Sequence, residues 1–187
     1  MICEPLAPFA EVKVIAPEVH SDARGLFVET YRTDRYRAAG IDVRFVQDNM
    51  STSRRDVLRG LHFQHPLPQA KLVRVTSGVV WDVVVDIRIG SPHFGTWAGI
   101  ELSAEDQRQL FIPAGFAHGF VVLSGEAIFE YKCSVAYHPE HSRSLRWNDP
   151  TVGVKWPVAR PRLSERDARA PLLQELAHDH CLPAYPG

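Results

Sequence analysis

Cysteine is scarce in the 187-residue sequence, where Cys3, Cys133 and Cys181 lie far apart and none belongs to a Cys-x-x-Cys pair. Without paired spacing, neither a zinc-binding knuckle nor a disulfide framework is expected. Reduced thiols are the usual state in the cytoplasm, and we therefore predict a cytoplasmic protein whose three cysteines are free.

Long apolar runs and an excess of either charge are also missing. No run of about 18 apolar residues occurs, so no membrane-spanning helix is predicted. The opening MICEPLAPFAEVKVIAP has no basic region ahead of an apolar block, and we expect no cleaved leader there. Lys and Arg number 21 against 22 Asp and Glu, a formal net charge of −1. A near-neutral chain has no whole-surface attraction for nucleic acid or anionic membrane, so local arginines and lysines must hold any bound anion.

Many short apolar segments bounded by turn residues are present instead. Several alternate apolar and polar positions with a period of two, which predicts half-buried strands. Thr76-Ser77-Gly78 separates two strong segments and is typical of a hairpin turn. Numerous short strands in a chain of this length predict one all-β domain, a sandwich or a barrel. The predicted strands lie within 11–17, 22–32, 43–53, 71–89 and 97–139.

Helical features are limited to two places. A short helical turn is predicted just before Gly40, because glycine accepts the left-handed conformation that follows a helix. A C-terminal helical segment is predicted at about 163–180, where Ser164 and Asp167 have the spacing of a capping box and Pro171 divides the segment. On this pattern alone, Asp167 is best explained as a helix cap.

The segment RGLHFQHP places His62 within an alternating strand, on the face opposite Leu61 and Phe63. Three roles are open to this imidazole: metal ligand, satisfied core histidine or base. HFQ and PAGFAHGF, which contains His118, resemble the two half-motifs of the metal-binding cupin jelly roll. The pattern is broken because Gln64, a poor ligand for transition metals, stands where a second histidine is expected.

Two further side chains have competing explanations. Lys71 stands where a cupin would carry the next metal ligand, and a cation there repels a metal, so no metal site is predicted. Lys71 shares a strand face with Val73 and Val75, which aims its ammonium inward, but a solvent-facing lysine at a strand start is an equally ordinary explanation. Tyr131 lies on the apolar face of its own strand, where core filling with a hydrogen-bonded hydroxyl is the common role.

Taken together, the segments resemble one family. Dehydrorhamnose epimerases, the dTDP-4-dehydrorhamnose 3,5-epimerases, are similar to this chain in the segments RGLHFQ, AKLVRVTSGVVWDVVVDIR, SPHFGTWAGIELSAEDQRQLFIPAGFAHGF and EYKCSVAYHPE. The shorter segments DARGLFVE, FVQDN, LRWNDP and LSERDARAPLL also occur in the order that the family shows. The resemblance covers about Val12 to Leu173. It implies a single domain over 1–187, with a cupin-type jelly-roll core at about 12–160 and the short C-terminal helical segment.

The resemblance implies an isomerase that inverts C3 and C5 of dTDP-4-dehydro-6-deoxy-D-glucose, giving dTDP-4-dehydro-L-rhamnose for dTDP-rhamnose biosynthesis. It implies no cofactor, and a homodimer in which the neighbouring subunit completes the nucleotide site. One alternative is a single-site epimerase of a dTDP-4-keto-6-deoxy sugar in a secondary-metabolite pathway. Others are a non-catalytic sugar-nucleotide-binding cupin and a metal-dependent cupin enzyme.

The same resemblance assigns roles to individual residues. His62 is the proton-abstracting base, Tyr131 the proton donor, Asp167 the partner of the base, and Tyr137 stacks on thymine. The neighbouring subunit contributes nucleotide contacts from Arg24, Phe27 and Glu29. The remaining substrate-binding positions are Gln47, Asp48, Asn49, Arg59, Lys71, His118 and Arg166.

Two positions depart from the family pattern. Arg166 stands where the family often has lysine, which keeps the charge and changes its geometry. Ser142 replaces a glutamate that contacts substrate in many members, so the resemblance implies a change in one binding contact and in none of the proton-transfer groups.

The chemistry explains why these residue types are needed. The C4 ketone acidifies the hydrogens at C3 and C5, since either carbanion delocalises as an enolate. Inversion removes a proton from one face and returns one to the other, which calls for two groups on opposite sides. An imidazole titrates near neutrality and can be the base, while a tyrosine hydroxyl stays protonated and can donate. Lys71, with His118 near it, is expected to stabilise the enolate oxygen without a metal.

Overall fold

The computed structural model describes residues 1–186, which form mainly antiparallel β-structure. The strands are β1 (Ile2–Leu6), β2 (Phe9–Ala16), β3 (Val19–Asp22), β4 (Gly25–Val28), β5 (Gln47–Arg54), β6 (Leu58–Gln64), β7 (Lys71–Ser77), β8 (Val79–Asp86), β9 (Trp97–Ser103), β10 (Gln109–Ile112), β11 (Phe116–Val122), β12 (Glu126–Cys133) and β13 (Ser142–Ser144). The helices are α1 (Thr33–Ala38), α2 (Glu165–Ala168) and α3 (Leu173–His178), with a 3₁₀ turn at Pro139–His141.

Two sheets pack against each other in a jelly roll, which confirms the predicted all-β fold. The six-stranded sheet has the order β1-β2-β10-β7-β12-β5, and the five-stranded sheet has the order β13-β6-β11-β8-β9. The apolar core between them comes from inward positions of both sheets, including Val73 and Phe129 from one and Val80 and Val84 from the other. These positions obey the period-two alternation of the sequence.

The hairpin predicted at Thr76-Ser77-Gly78 is wrong. β7 and β8 do not pair with each other, because β7 lies in the six-stranded sheet and β8 in the five-stranded one. Gly78 adopts a φ of +79° and lies against the main chain of Glu126 and Ala127, so the chain crosses tightly between the sheets there. A turn signal shows where a strand ends but not which strand will be its partner.

Each sheet is also covered on its outer face. Leu61, Val83 and Val85 of the five-stranded sheet pack against Leu173 and Leu176 of the C-terminal segment. On the six-stranded sheet, residues around α1 form a second outer layer, with Ile15, Tyr36, Ile41, Leu72 and Phe111 at its centre. No helix within residues 1–186 is long and apolar enough to cross a bilayer.

The hairpin of β3 and β4 stands apart from both sheets. All of its residues except Val28 are exposed, and the side chains of Leu26 and Phe27 are 59% and 70% accessible. Large apolar side chains with this exposure leave a patch that the remainder of the same chain does not cover.

Candidate active site

His62 lies on β6 with the orientation that the sequence predicts. Leu61 and Phe63 are buried in the outer core, and His62 and Gln64 line a cavity of about 280 Å³ to which Phe63 also contributes. Directly opposite His62 on the neighbouring strand β11 is His118. Two imidazoles therefore occupy paired positions of the five-stranded sheet.

Two glycines bring the strands of these histidines unusually close. Gly60 has a φ of +136°, and a Cβ on it would lie 2.5 Å from the Cα of Gly119. A Cβ on Gly119 would in turn lie 2.7 Å from the carbonyl oxygen of Arg59. Any larger residue at either position must push the strands apart, so the glycines set the spacing next to His62.

The six-stranded sheet supplies the facing wall of the cavity. Lys71 on β7 pairs with Cys133 of β12, which pairs with Gln47 of β5. In the next row, Tyr131 of β12 lies between β7 and Asn49 of β5. Lys71 and Tyr131 thus face inward from one sheet, while His62 faces them from the other.

The cavity lining contains half of the predicted site residues. Its lining includes His62 and Tyr131, the predicted base and acid, together with Lys71. The other lining residues are Gln47, Asn49, Phe63, Gln64, Gln69, Cys133, Tyr137, Ser142 and Arg166. Residues from five strands and from the C-terminal segment therefore meet at one place.

His62 is hydrogen-bonded to Asp167, the contact that the family resemblance implied. His62 Nε2 lies 2.5 Å from Asp167 Oδ1, and the Asp167 side chain is 4% exposed. Ser164, not Asp167, provides the side-chain cap of α2: its Oγ accepts a hydrogen bond from the main-chain N–H of Asp167 at 3.1 Å. The helix cap and the histidine contact are therefore compatible, since they use different atoms of Asp167.

The environment keeps Asp167 ionised. Burial opposes the charge, but hydrogen bonds from His62, Ser164 and the main chain of Gly60 outweigh it, and the pKa of Asp167 falls below its ordinary value. An ionised carboxylate can only accept a hydrogen bond, so Nε2 carries the hydrogen and donates it to Asp167. In the neutral ring, Nδ1 is then the nitrogen with the free lone pair.

The other ionisable groups of the site shift in the direction that burial dictates. Burial raises the pKa of the Tyr131 hydroxyl, so it stays protonated over a wider pH range. Burial likewise lowers the pKa of the Lys71 ammonium, although nearby Cys133 and Asp82 oppose the shift. A protonated tyrosine and a largely buried lysine therefore face the same cavity as His62.

Asp82 was missed by the sequence analysis. It is fully buried on β8 and both of its oxygens lie within 3.0 Å of His118 Nε2. Burial raises the pKa of Asp82 and lowers that of His118, so the low-polarity surroundings disfavour charge on either partner. The signal was present in WDVVVD, where one carboxylate shares the inward face with Val80 and Val84. Such a residue needs a buried partner.

Residues at the cavity rim are held by hydrogen bonds. The main-chain N–H of Tyr137 donates to Gln47 Oε1 at 2.7 Å, while half of the Tyr137 surface remains exposed. Arg166 donates to Ser142 Oγ at 2.7 Å and to Ser144 Oγ at 2.9 Å. Ser142 and Ser144 therefore orient Arg166 at the rim.

Gln64 also has a structural task. Its amide donates to the main-chain oxygens of Leu67 and Ala136, and its oxygen accepts from the N–H of His138. The residue that interrupts the metal-binding pattern thus connects two loops beside the cavity.

Other predicted residues lie outside this cavity. Arg59 is exposed and donates to Ser53 Oγ at 2.8 Å, though its charge influences Tyr131. Asp48 points to the outer side of its sheet, where it pairs with Lys132 and lines an adjoining cavity of about 350 Å³. His118 lies behind the cavity wall, against Asp82.

Three residues were predicted to contact nucleotide in the site of a neighbouring subunit, and none of them lines the cavity of its own chain. Arg24 pairs with Asp22 on the exposed hairpin, and Glu29 pairs with Arg35. Phe27 points into solvent. Within residues 1–186, the fold does not bring this group to the site that the same chain forms.

Residues 7–175 match the sequence profile described as dTDP-4-dehydrorhamnose 3,5-epimerase. The chain belongs to this epimerase family. A dTDP-4-dehydrorhamnose 3,5-epimerase from Pseudomonas aeruginosa is 50% identical to it over 175 residues, which is 92% of this chain and 95% of the relative. The predicted family and its isomerase class are confirmed.

Solved structures of related epimerases have the same fold. The dTDP-6-deoxy-D-glucose-3,5-epimerase from Legionella pneumophila, in complex with dTDP-4-keto-L-rhamnose, matches with a TM-score of 0.95 and 47% identity over 100% of this chain and 99% of that one. ChmJ, a 3′-monoepimerase from Streptomyces bikiniensis in complex with dTDP-quinovose, matches with a TM-score of 0.91 and 37% identity over 97% and 93%. Both double and single epimerases thus share this architecture.

Proposed function

We propose that this epimerase inverts C3 and C5 of dTDP-4-dehydro-6-deoxy-D-glucose and releases dTDP-4-dehydro-L-rhamnose. The observation that carries the proposal is the placement of an Asp167-bound imidazole and a tyrosine hydroxyl on opposite walls of one cavity. A sugar ring held between the two sheets would present one face to His62 and the other to Tyr131. Inversion needs this arrangement, because the proton leaves one face and returns to the other.

In the proposed mechanism His62 Nδ1 takes the proton from the carbon next to the ketone. The electron pair of the broken C–H bond moves into the carbonyl and forms an enolate. Asp167 holds the ring through Nε2 and balances the charge of the imidazolium. Tyr131 then gives its proton to the opposite face of the carbanion. Protonation of the carbon restores the ketone. The imidazolium then releases its proton to solvent and the tyrosinate takes one up from solvent, after which the same steps at the second carbon complete the double inversion.

The enolate oxygen requires a positive charge or aimed donors. Lys71 supplies an ammonium on the wall beside Tyr131, and His118 with Asp82 lies behind the facing wall. Donors that are already in place cost no reorganisation when charge develops, which is why they lower the barrier. Asp82 acts in this scheme as a positioning residue, since it touches His118 and not the cavity.

The rest of the predicted site binds the nucleotide sugar. The exposed ring of Tyr137 offers a flat surface for the thymine base. Arg59 and Arg166 provide guanidinium groups that match diphosphate oxygens. Gln47 and Asn49 from the cavity lining, with Asp48 from the adjoining cavity on the outer side of the sheet, complete the binding set.

The same proposal includes a homodimer with shared nucleotide sites. The exposed hairpin carries Arg24, Leu26 and Phe27, whose surface is not covered by their own chain. With Glu29, these groups would complete the cavity of the neighbouring subunit and bury the apolar patch at the same time. The cytoplasmic location expected from the scattered thiols stays a prediction.

A single-site epimerase is the second candidate, because ChmJ shares the fold and is named a 3′-monoepimerase. The two are separated by incubating the protein with the dTDP-4-keto-6-deoxy sugar in deuterium oxide. Deuterium at both C3 and C5 of the product is the expected result. Deuterium at one carbon selects the second candidate, and none at either carbon rejects epimerisation of this sugar.

A further inference from the structure

Three metal-ligating side chains meet beside the 3₁₀ turn at Pro139–His141, outside the lining of the proposed active site. We name His138, Glu140 and His141 the rim cluster. One donor atom from each lies within 4.8 Å of one from each of the others. The His138 and His141 ring centroids are 5.4 Å apart, and His138 Nδ1 is 3.3 Å from Glu140 Oε1.

An ion pair between His138 and Glu140 explains only part of this cluster. His141 Nδ1 is buried and has no hydrogen-bond partner within the described residues 1–186. A buried polar atom without a partner costs free energy, so the native arrangement is incomplete at this ring. A cation held by the three side chains would give the His141 ring the partner that the protein does not supply.

The backbone beneath the rim cluster is already fixed. The N–H of His138 donates to Gln64 Oε1 at 2.9 Å, and the carbonyl oxygen of His141 accepts from the N–H of His65 at 2.9 Å. The N–H of His141 closes the turn on the carbonyl oxygen of His138. Binding a ligand here therefore orders side chains only, which keeps the entropic cost small.

The positively charged neighbour Arg143 is hydrogen-bonded to the main chain beside the rim cluster. Arg143 donates to the main-chain oxygens of Glu140 and Ser142. In residues 1–186 no lysine or arginine lies within 4.0 Å of the Glu140 carboxylate, which stays available as a ligand.

Two imidazoles and one carboxylate are the donor set of many open zinc sites, where water takes the fourth position. Tetrahedral Zn²⁺ with bond lengths of about 2.0–2.2 Å needs donors roughly 3.4 Å apart. The His138–Glu140 distance already meets this requirement. The side chains of His138 and Glu140 are 39% and 62% exposed, which leaves both free to rotate toward His141.

We propose that His138, Glu140 and His141 bind a divalent transition-metal cation, with Zn²⁺ as the representative ligand, at the rim of the cavity. The site adjoins Tyr137 and Ser142, which line that cavity, but it shares no donor with His62 or Asp167. It is consequently distinct from a catalytic metal centre. The proposal is also independent of the epimerase reaction, because binding needs no substrate.

The test uses full-length untagged protein, with Zn²⁺ competing against a chromogenic chelator and Co²⁺ giving visible absorption in a tetrahedral site. We expect one equivalent of Zn²⁺ to bind wild-type protein. His138→Ala and Glu140→Gln should each weaken binding at least about tenfold, since each removes one of three ligands. Both residues are partly or fully exposed, so the variants should fold.

The matched control is His178→Ala with Cys181→Ser, which removes candidate ligands from the C-terminal HDHC sequence. This variant should bind Zn²⁺ as the wild type does. Equal Zn²⁺ binding by wild type and His138→Ala would overturn the proposal, as would loss of binding in the control variant alone. Deuterium incorporation measured on the same samples keeps a failure of this proposal separate from a failure of the proposed reaction.

Discussion

His62 and Asp167 are 105 positions apart in the chain, yet Nε2 of one lies 2.5 Å from Oδ1 of the other. The carboxylate is almost fully buried, while the imidazole is 35% exposed toward the cavity. Nε2 of the ring is therefore hydrogen-bonded within the protein, and Nδ1 is available to substrate. In the proposed reaction this asymmetry makes Nδ1 the base.

Replacing Asp167 with asparagine should lower kcat by a factor of up to about 10⁴, the loss seen when a catalytic-triad histidine loses its orienting carboxylate. An asparagine amide can donate to Nε2, which would leave the proton on Nδ1 and remove the free lone pair. KM should change far less. Steady-state kinetics on the dTDP-4-keto sugar gives both values, and an unchanged kcat would exclude the positioning role of Asp167.

Ser164→Ala is the comparison variant, because Ser164 caps α2 through the main-chain N–H of Asp167 and also hydrogen-bonds its carboxylate, but leaves the Asp167–His62 contact in place. It should cost about 1 kcal/mol of stability and lower kcat far less than Asp167→Asn. The lowered pKa of Asp167 also predicts a pH effect. Its stabilising contribution is complete above the ordinary value of 3.8 and is lost as the pH falls through the lower folded-state value. Acid unfolding of Asp167→Asn should lack this component.

Tyr131→Phe should impair reprotonation and lower kcat by about 10²-fold or more, because a general acid contributes on that scale. Affinity for dTDP should stay within a factor of about two, since the hydroxyl acts on the sugar. Tyr36→Phe serves as the control: its hydroxyl bonds Thr30 and Gln109 in the outer core at 2.9 Å. That variant should lose stability but retain kcat, and a similar loss of kcat in both variants would indicate general damage.

Lys71→Met should make the protein more stable and less active. Burial lowers the pKa of Lys71, which means that the folded state disfavours the ammonium relative to water. Removing it should raise the free energy of unfolding at neutral pH by about 1 kcal/mol, a common gain at a functional position. The stability difference should shrink as the pH approaches the ordinary lysine value of 10.5.

The activity of Lys71→Met should fall at least about 10²-fold, because the enolate oxygen loses its charged partner. Lys155→Met, which alters an exposed lysine, should change neither stability nor activity. Thermal unfolding and kinetics on the two variants provide the comparison. A destabilised Lys71→Met would show that the ammonium is satisfied in the folded state.

Mixing two inactive variants tests the shared nucleotide site. His62→Ala damages the cavity, and Phe27→Ala damages the exposed hairpin. In a mixed dimer, one cavity would combine the intact His62 of one subunit with the intact hairpin of the other. Co-expression should therefore restore roughly a quarter of the wild-type sites if subunits assort randomly. If the hairpin served its own chain, no mixed dimer would contain an intact site and activity would stay lost.

Part of the site could be predicted from local pattern. Alternation in RGLHFQ placed His62 on the strand face opposite Leu61. Alternation in EYKCSVAY placed Tyr131 on the inward face of its own strand. Both follow because side-chain direction in a strand repeats every two residues. The same pattern allowed two orientations of the Lys71 side chain, one toward the interior and one toward solvent. The structure selects the inward position, since Lys71 shares the cavity with Tyr131.

The sequence by itself determined the all-β character, the inward positions of the strands and, through its motifs, the family. Tertiary structure alone decided which strands became neighbours: β7 and β8 lie in different sheets, and Asp82 of β8 contacts His118 of β11. The fold also brings the Asp167 carboxylate to His62 while the Asp167 N–H bonds the cap residue Ser164. It also collected His138, Glu140 and His141 at the cavity rim. The physical reason is that apolar–polar alternation is a property of neighbouring residues in one strand. Strand pairing and register depend instead on contacts between segments far apart in the chain.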